Sequence, residues 1–200
     1  MEEKKTDRRA QKTKKAIYGA FISLLTQKEL HKVTVQDISD LADINRTTFY
    51  KHYLDVYDLY DKFEQDMLIE WGMLVLQMQE LRSKDFFTKL VDYVEKNNDV
   101  FKMVFGSNAP SNLRDKFVKM LEGLFQKIES EKKGSAINNV KLSYQTSYRA
   151  RGCIAILSRW LEEDSKQPKD FIVQVLSELD SSVVKVCDQG VIRYERYPDP

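Results

Sequence analysis

The chain has 200 residues, of which 42% are hydrophobic and 32% charged, enough for one or two ordinary cores and too polar for a bilayer protein. No run of about 18 apolar residues occurs, and the N-terminus, MEEKKTDRRAQKTKK, is basic but lacks the apolar stretch of a secretory signal; no membrane association and a cytoplasmic location are expected. The net charge of +1 hides an asymmetry: residues 1–53 hold 11 Lys and Arg against 7 Asp and Glu, and the remainder 21 against 24, so the front end is the basic one.

Ile17, Ala20, Phe21, Leu24 and Leu25 fall at i, i+3, i+4, i+7 and i+8, which predicts a first helix over 7–27 with one apolar stripe. In TVQDISDLA, Val35, Ile38, Leu41 and Ala42 share a face, and Thr34 followed three residues on by Asp37 resembles a capping box with Asp in place of Glu. A short second helix starts there. After the turn ADI, Asn45 is placed to cap a third helix on which Phe49 and Tyr53, four residues apart, share a face.

If Phe49, Ile44 and Tyr53 turn into a small core, then Arg46, Thr47, Thr48, Tyr50 and Lys51 must largely face outward. An outward row of this kind suits double-stranded DNA. Arginine bonds a guanine edge bidentately, threonine meets a thymine methyl or a phosphate, and a tyrosine hydroxyl or lysine fixes a backbone phosphate. Helix two, turn and helix three then read as a helix-turn-helix whose third helix enters the major groove.

The stretch TVQDISDLADINRTTFYKHY, followed by a long helix, resembles the N-terminal domain of the TetR family of transcriptional regulators. The resemblance is clear over residues 8–65 and beyond them lies only in the helical architecture. It implies an all-α homodimer, with a DNA-binding head over 1–54, a helical dimerisation and effector domain over 55–190, and a tail over 191–200. Carried over by position, Thr34 and Gln36 lie near the DNA backbone or groove, Asn45 opens the recognition helix, Arg46, Thr47 and Thr48 approach bases, and Tyr50, Lys51 and His52 touch phosphates. Two residues depart from the family pattern. Asp43 stands where the family commonly has a turn glycine, a position suited to positive φ, and Val56 stands where a phosphate-holding lysine is common.

Asp55 is a candidate cap for a fourth helix over 55–80, along which Leu59, Phe63, Met67, Trp71, Leu74 and Met78 recur at helical spacing. Further helices are predicted at 84–96, 98–105, 111–131, 137–163 and 169–188, separated by breaks at KNND, GSNAP, KKGSA and SKQP. Among the middle-helix aromatics, Trp71, Phe86, Tyr93, Phe101, Phe105 and Phe117 line either an apolar effector pocket or the core. Arg149 and Arg151 either meet an acidic effector or are solvated.

Gly152 lies in a helix interior, at a cost of about 1 kcal/mol relative to alanine, which points to a close helix contact. The last two helices are therefore a candidate dimer-forming pair, with Gly152, Ala155, Ile156, Trp160, Val173 and Leu176 as its interface; the alternative is an intrachain core.

Neither His31 nor His52 has a partner at metal-ligand or triad spacing, and no phosphate-binding or dinucleotide fingerprint occurs. No cofactor and no catalysis are expected. Cys153 and Cys187 read as packed thiols rather than a disulfide or zinc pair. The sequence alone leaves open a regulator released by a small-molecule effector, the same head controlled by a protein partner, and a helical enzyme.

Overall fold

The computed structural model describes residues 2–79, 83–106, 108, 109, 112–133 and 139–189, with backbone alone at 2–7, 83, 133, 139 and 187–189. All regular structure among them is helical: α1 (Glu2–Gln27), a single 3-10 turn (Leu30–Lys32), α2 (Val35–Leu41), α3 (Arg46–Tyr50), α4 (Val56–Met78), α5 (Ser83–Lys96), α6 (Asn98–Phe105), α7 (Leu113–Lys133), α8 (Asn139–Glu162) and α9 (Lys169–Gln189). The expected helices are all present, with ends shifted by a few residues, and α1 begins earlier than its apolar stripe. The 3-10 turn was not anticipated. The tail expected at 191–200 and the Cys187 side chain lie outside the described residues.

Local chemistry accounts for the starts of the short helices. The Thr34 hydroxyl accepts from the Asp37 amide at 3.1 Å while the Asp37 carboxylate accepts from the Thr34 amide at 2.9 Å, a capping box closed reciprocally. Lys28 adds an ion pair to the same carboxylate at 2.7 Å. That ammonium, then the Thr34 hydroxyl and amide, hold the Asp37 carboxyl down at about 2. Asn45 Oδ1 accepts from the Thr47 amide at 2.8 Å at the start of α3, and Asp55 Oδ1 from the Asp58 amide at 2.8 Å at the start of α4. The turn between α2 and α3 places Asp43 at φ 52°, the left-handed conformation expected of that position.

The core runs through both parts of the chain. In the head it holds Ile17, Phe21, Ile38, Phe49 and Tyr53; α4 extends it through Phe63, Met67 and Trp71 into the body. α1 packs against α2 and α6, α4 against α7, α5 against α9, and α7 against α8. Polar links cross the same junctions: Tyr18 of α1 donates to Asp66 of α4 at 2.8 Å, Lys116 of α7 pairs with Glu64 of α4 at 2.5 Å, and Asn108 donates to the Thr26 carbonyl at 3.2 Å.

Val56 does not take the place of a DNA-facing lysine. It is 7% exposed and belongs to the core, because the Asp55 cap turns the first residue of α4 inward.

Candidate nucleic-acid interface and body sites

On α3, Phe49 is fully buried and forms tilted ring contacts with Tyr53, centroids 5.6 Å apart. With that face fixed inward, Arg46, Thr47, Tyr50 and Lys51 are exposed and Thr48 and His52 half-buried, as the spacing required. Tyr50 is 56% exposed, and its ring stands edge-on to Phe49. A second support comes from α4: Lys62 reaches the His52 carbonyl at 3.3 Å and Asp58 at 2.9 Å, tying the end of α3 to the long helix. Burial, then Lys14 and Lys51, hold the His52 imidazole below its ordinary value, so positive charge already surrounds it. Thr34 and Gln36 stand at the exposed start of α2, but both side chains have local work: Thr34 caps the helix, and Gln36 donates to Asp40.

In the body, five of the six aromatics named for an effector pocket pack in one cluster. Trp71 meets Phe117 at 4.9 Å and Tyr93 and Phe101 at 5.8 Å, and Phe101 meets Phe105 at 5.5 Å. Edge-to-face and tilted packing of this kind is a filled core. Phe86 stands apart from them, against Phe87 and Phe125, on the wall of a cavity of about 310 Å³ between α5, α7, α8 and α9.

Arg149 is neither solvated nor open to an acidic effector. It is 8% exposed, and its guanidinium donates to Asp180 at 2.7 and 3.1 Å and to Glu129 at 3.0 Å, with its Cζ 4.2 Å from the centre of the Phe125 ring. Burial pulls its pKa down, but the two carboxylates, Asp180 above all, more than offset this and leave it raised. Arg151 is exposed, 3.9 Å from Asp115.

The residues named for a dimer interface divide. Trp160, Val173 and Leu176 are buried within the chain, at 3%, 4% and 1% exposure, and Trp160 Nε1 donates to the Gln167 carbonyl at 2.9 Å. They serve the intrachain core, because α8 and α9 are apolar on more than one face. Gly152, Ala155 and Ile156 lie on the other side. A Cβ added at Gly152 would meet nothing within 4 Å, so none of the described helices makes the close approach its glycine suggested. Around them the structure exposes Tyr144, Tyr148 and Leu179, at 75%, 68% and 53%, residues that the sequence reading passed over. Their signal was the four-residue spacing of Tyr144, Tyr148 and Gly152 on α8.

Cys153 is buried, and burial pushes its thiol up to about 12, which makes it a packed thiol as expected.

Comparison with known proteins adds the family. The model TetR_C_8, a transcriptional regulator C-terminal region, matches residues 82–181, half of the chain. A 58-residue stretch is 38% identical to the uncharacterized HTH-type transcriptional regulator YxbF of Bacillus subtilis (strain 168); it covers 28% of this chain but only 15% of that protein's length. Among solved structures, a TetR transcriptional regulator from Streptococcus agalactiae 2603V is 25% identical with a TM-score of 0.60, over 88% of this chain and 97% of that one. The fold is also similar to the transcriptional regulator FadR from Bacillus subtilis in complex with stearoyl-CoA, at a TM-score of 0.64 and 16% identity, over 84% and 97% of the two chains. These similarities define an all-helical transcriptional regulator. The chain belongs to the TetR family.

Proposed function

We propose that this regulator binds a palindromic operator in double-stranded DNA as a homodimer, acts as a repressor by occupying it, and is released by a small molecule bound in its body. The observation that carries the reading is the row Arg46, Thr47, Tyr50 and Lys51, exposed on α3 over the buried Phe49 and Tyr53. α2, the turn at Asp43 and α3 act as the helix-turn-helix, and residues 1–54 as the head. One five-residue recognition helix contacts too few base pairs for a unique site; two, on a twofold axis, read half-sites about 34–36 Å apart.

The second copy docks on the outer face of α8 and α9, where Tyr144, Tyr148, Ile156 and Leu179 surround Gly152. Exposed apolar residues in such a continuous band seek a partner surface. Effector control draws support from the body cavity and from the similar FadR structure, which is in complex with stearoyl-CoA. A second reading, control by a protein partner, is favoured by Ile69, Met73 and Leu76, exposed in a stripe along α4. Selection of bound sequences from random duplex DNA tests the first reading: a palindrome with half-sites one helical turn apart supports it, and recovery of no sequence preference removes it.

A further inference from the structure

We propose that the cavity between α5, α7, α8 and α9 is a ligand site for a small amphipathic molecule with one negative charge. The proposal deepens the effector-controlled reading above and rests on it for its regulatory meaning, though not for the chemistry of the site. The cavity measures about 310 Å³, at the small end of the range of about 300–1,000 Å³ for small-molecule pockets, room for two or three rings or a short chain. Its inner wall is aromatic. Phe86, Phe87 and Phe125 are 4%, 1% and 2% exposed, with ring centres 5.0 Å apart for Phe86 and Phe87 and 5.5 Å for Phe86 and Phe125, and Ile128 and Val184 complete the apolar lining.

The polar side is cationic. Arg149, Lys132 and Lys185 line the cavity against one lining carboxylate, Asp180, and Glu129, behind Arg149, is the second carboxylate. Arg149 is fixed by its bonds to both, so its charge is already met. Lys132 stands 3.9 Å from Glu129 with a side chain 63% exposed, and Lys185 is exposed at the rim. A ligand that lays an apolar body on the phenylalanines brings its head to these two ammonium groups, and Ser181 supplies a hydroxyl beside them. An anionic head gains from the field of these two ammonium groups, which a neutral ligand does not use and a cationic one opposes.

The site has a route to the rest of the molecule. Arg149 and Asp180 also line a small groove of about 90 Å³ on the other side, with Tyr148, Gly152, Ile156 and Leu179, the face proposed for the second copy. One ion pair thus forms the partition between ligand site and interface, so a ligand seated against it bears on the wall that the two share.

The test uses two fluorescent probes that differ by a single group, 1-anilinonaphthalene-8-sulfonate and the neutral N-phenyl-1-naphthylamine, titrated into the full chain at physiological salt. The sulfonate should bind at one saturable site at least about tenfold more tightly than the neutral probe. Lys185→Glu, a surface change, should weaken the sulfonate about tenfold while leaving the neutral probe nearly unaffected. Ser181→Phe, which fills the cavity, should weaken both, with circular dichroism reporting whether it folds. Equal affinity of the two probes, or a Lys185→Glu variant that binds the sulfonate like the wild type, overturns the proposal. In a separate titration the sulfonate should change the affinity for a selected operator duplex at least about threefold, and no change overturns the effector role. If no duplex is selected by the wild type, the regulator reading fails, and the probe pair still decides the ligand class.

Discussion

The Arg149 guanidinium donates through Nε and Nη2 to the two oxygens of Asp180, at 2.7 and 3.1 Å, and so ties α8 to α9 inside the body. Both side chains are largely buried. Removing one partner of such a pair strands the other charge, so Asp180→Ala should lower stability by about 3–5 kcal/mol. Urea unfolding monitored by circular dichroism checks this, and a loss below about 1 kcal/mol would mean that Glu129 and water satisfy the guanidinium unaided.

Asp43 occupies the turn at φ 52°, where a side chain costs about 1–2 kcal/mol and Asp tolerates the strain better than most. Asp43→Gly should therefore be neutral to stabilising by about 1 kcal/mol, and Asp43→Val destabilising by about 1–2 kcal/mol. Thermal melts of the three proteins measure it. An equal loss from both substitutions would show that the Asp43 side chain, not its backbone, matters to the turn.

His52 lies in the proposed phosphate-contacting row with its pKa below the ordinary value, through burial first and then Lys14 and Lys51. The free protein therefore carries it neutral at pH 7. A DNA phosphate beside it would favour the charged form, so binding takes up a proton and operator affinity should rise as pH falls from about 7.5 to 6. His52→Gln should flatten that dependence. A profile unchanged by the substitution would take His52 away from the phosphates.

Much of this was legible in the sequence, for reasons that can be named. Apolar residues at helical spacing, with Thr34, Asn45 and Asp55 as caps, located α2, α3 and α4, since both signals are local. Burying Phe49 and Tyr53 decided which side of α3 faces out. The 3-10 turn at Leu30–Lys32 is too short to carry a periodicity. Arg149 was misread because its carboxylates lie 20 and 31 residues away on two other helices. On α8 and α9 two apolar faces compete, and composition alone cannot assign Trp160 to the inside and Tyr148 to the outside.

That outer face makes its own prediction. Ala155 is exposed beside Gly152, so Ala155→Glu leaves the intrachain core intact and sets a charge in the proposed twofold contact. Sedimentation at micromolar concentration should find the wild type dimeric and the variant folded but largely monomeric. A variant that stays dimeric would place the contact elsewhere.

Whether α3 reads DNA is decided by quantitative titration of a selected duplex and its single-base variants with wild type, Arg46→Ala and Lys51→Ala. Lys51→Ala should weaken binding to all duplexes alike and reduce the salt slope by about one phosphate's worth. Arg46→Ala should cost about 1–3 kcal/mol and relax preference at one base position. If both variants bind every duplex with wild-type affinity and salt dependence, α3 is not the recognition helix.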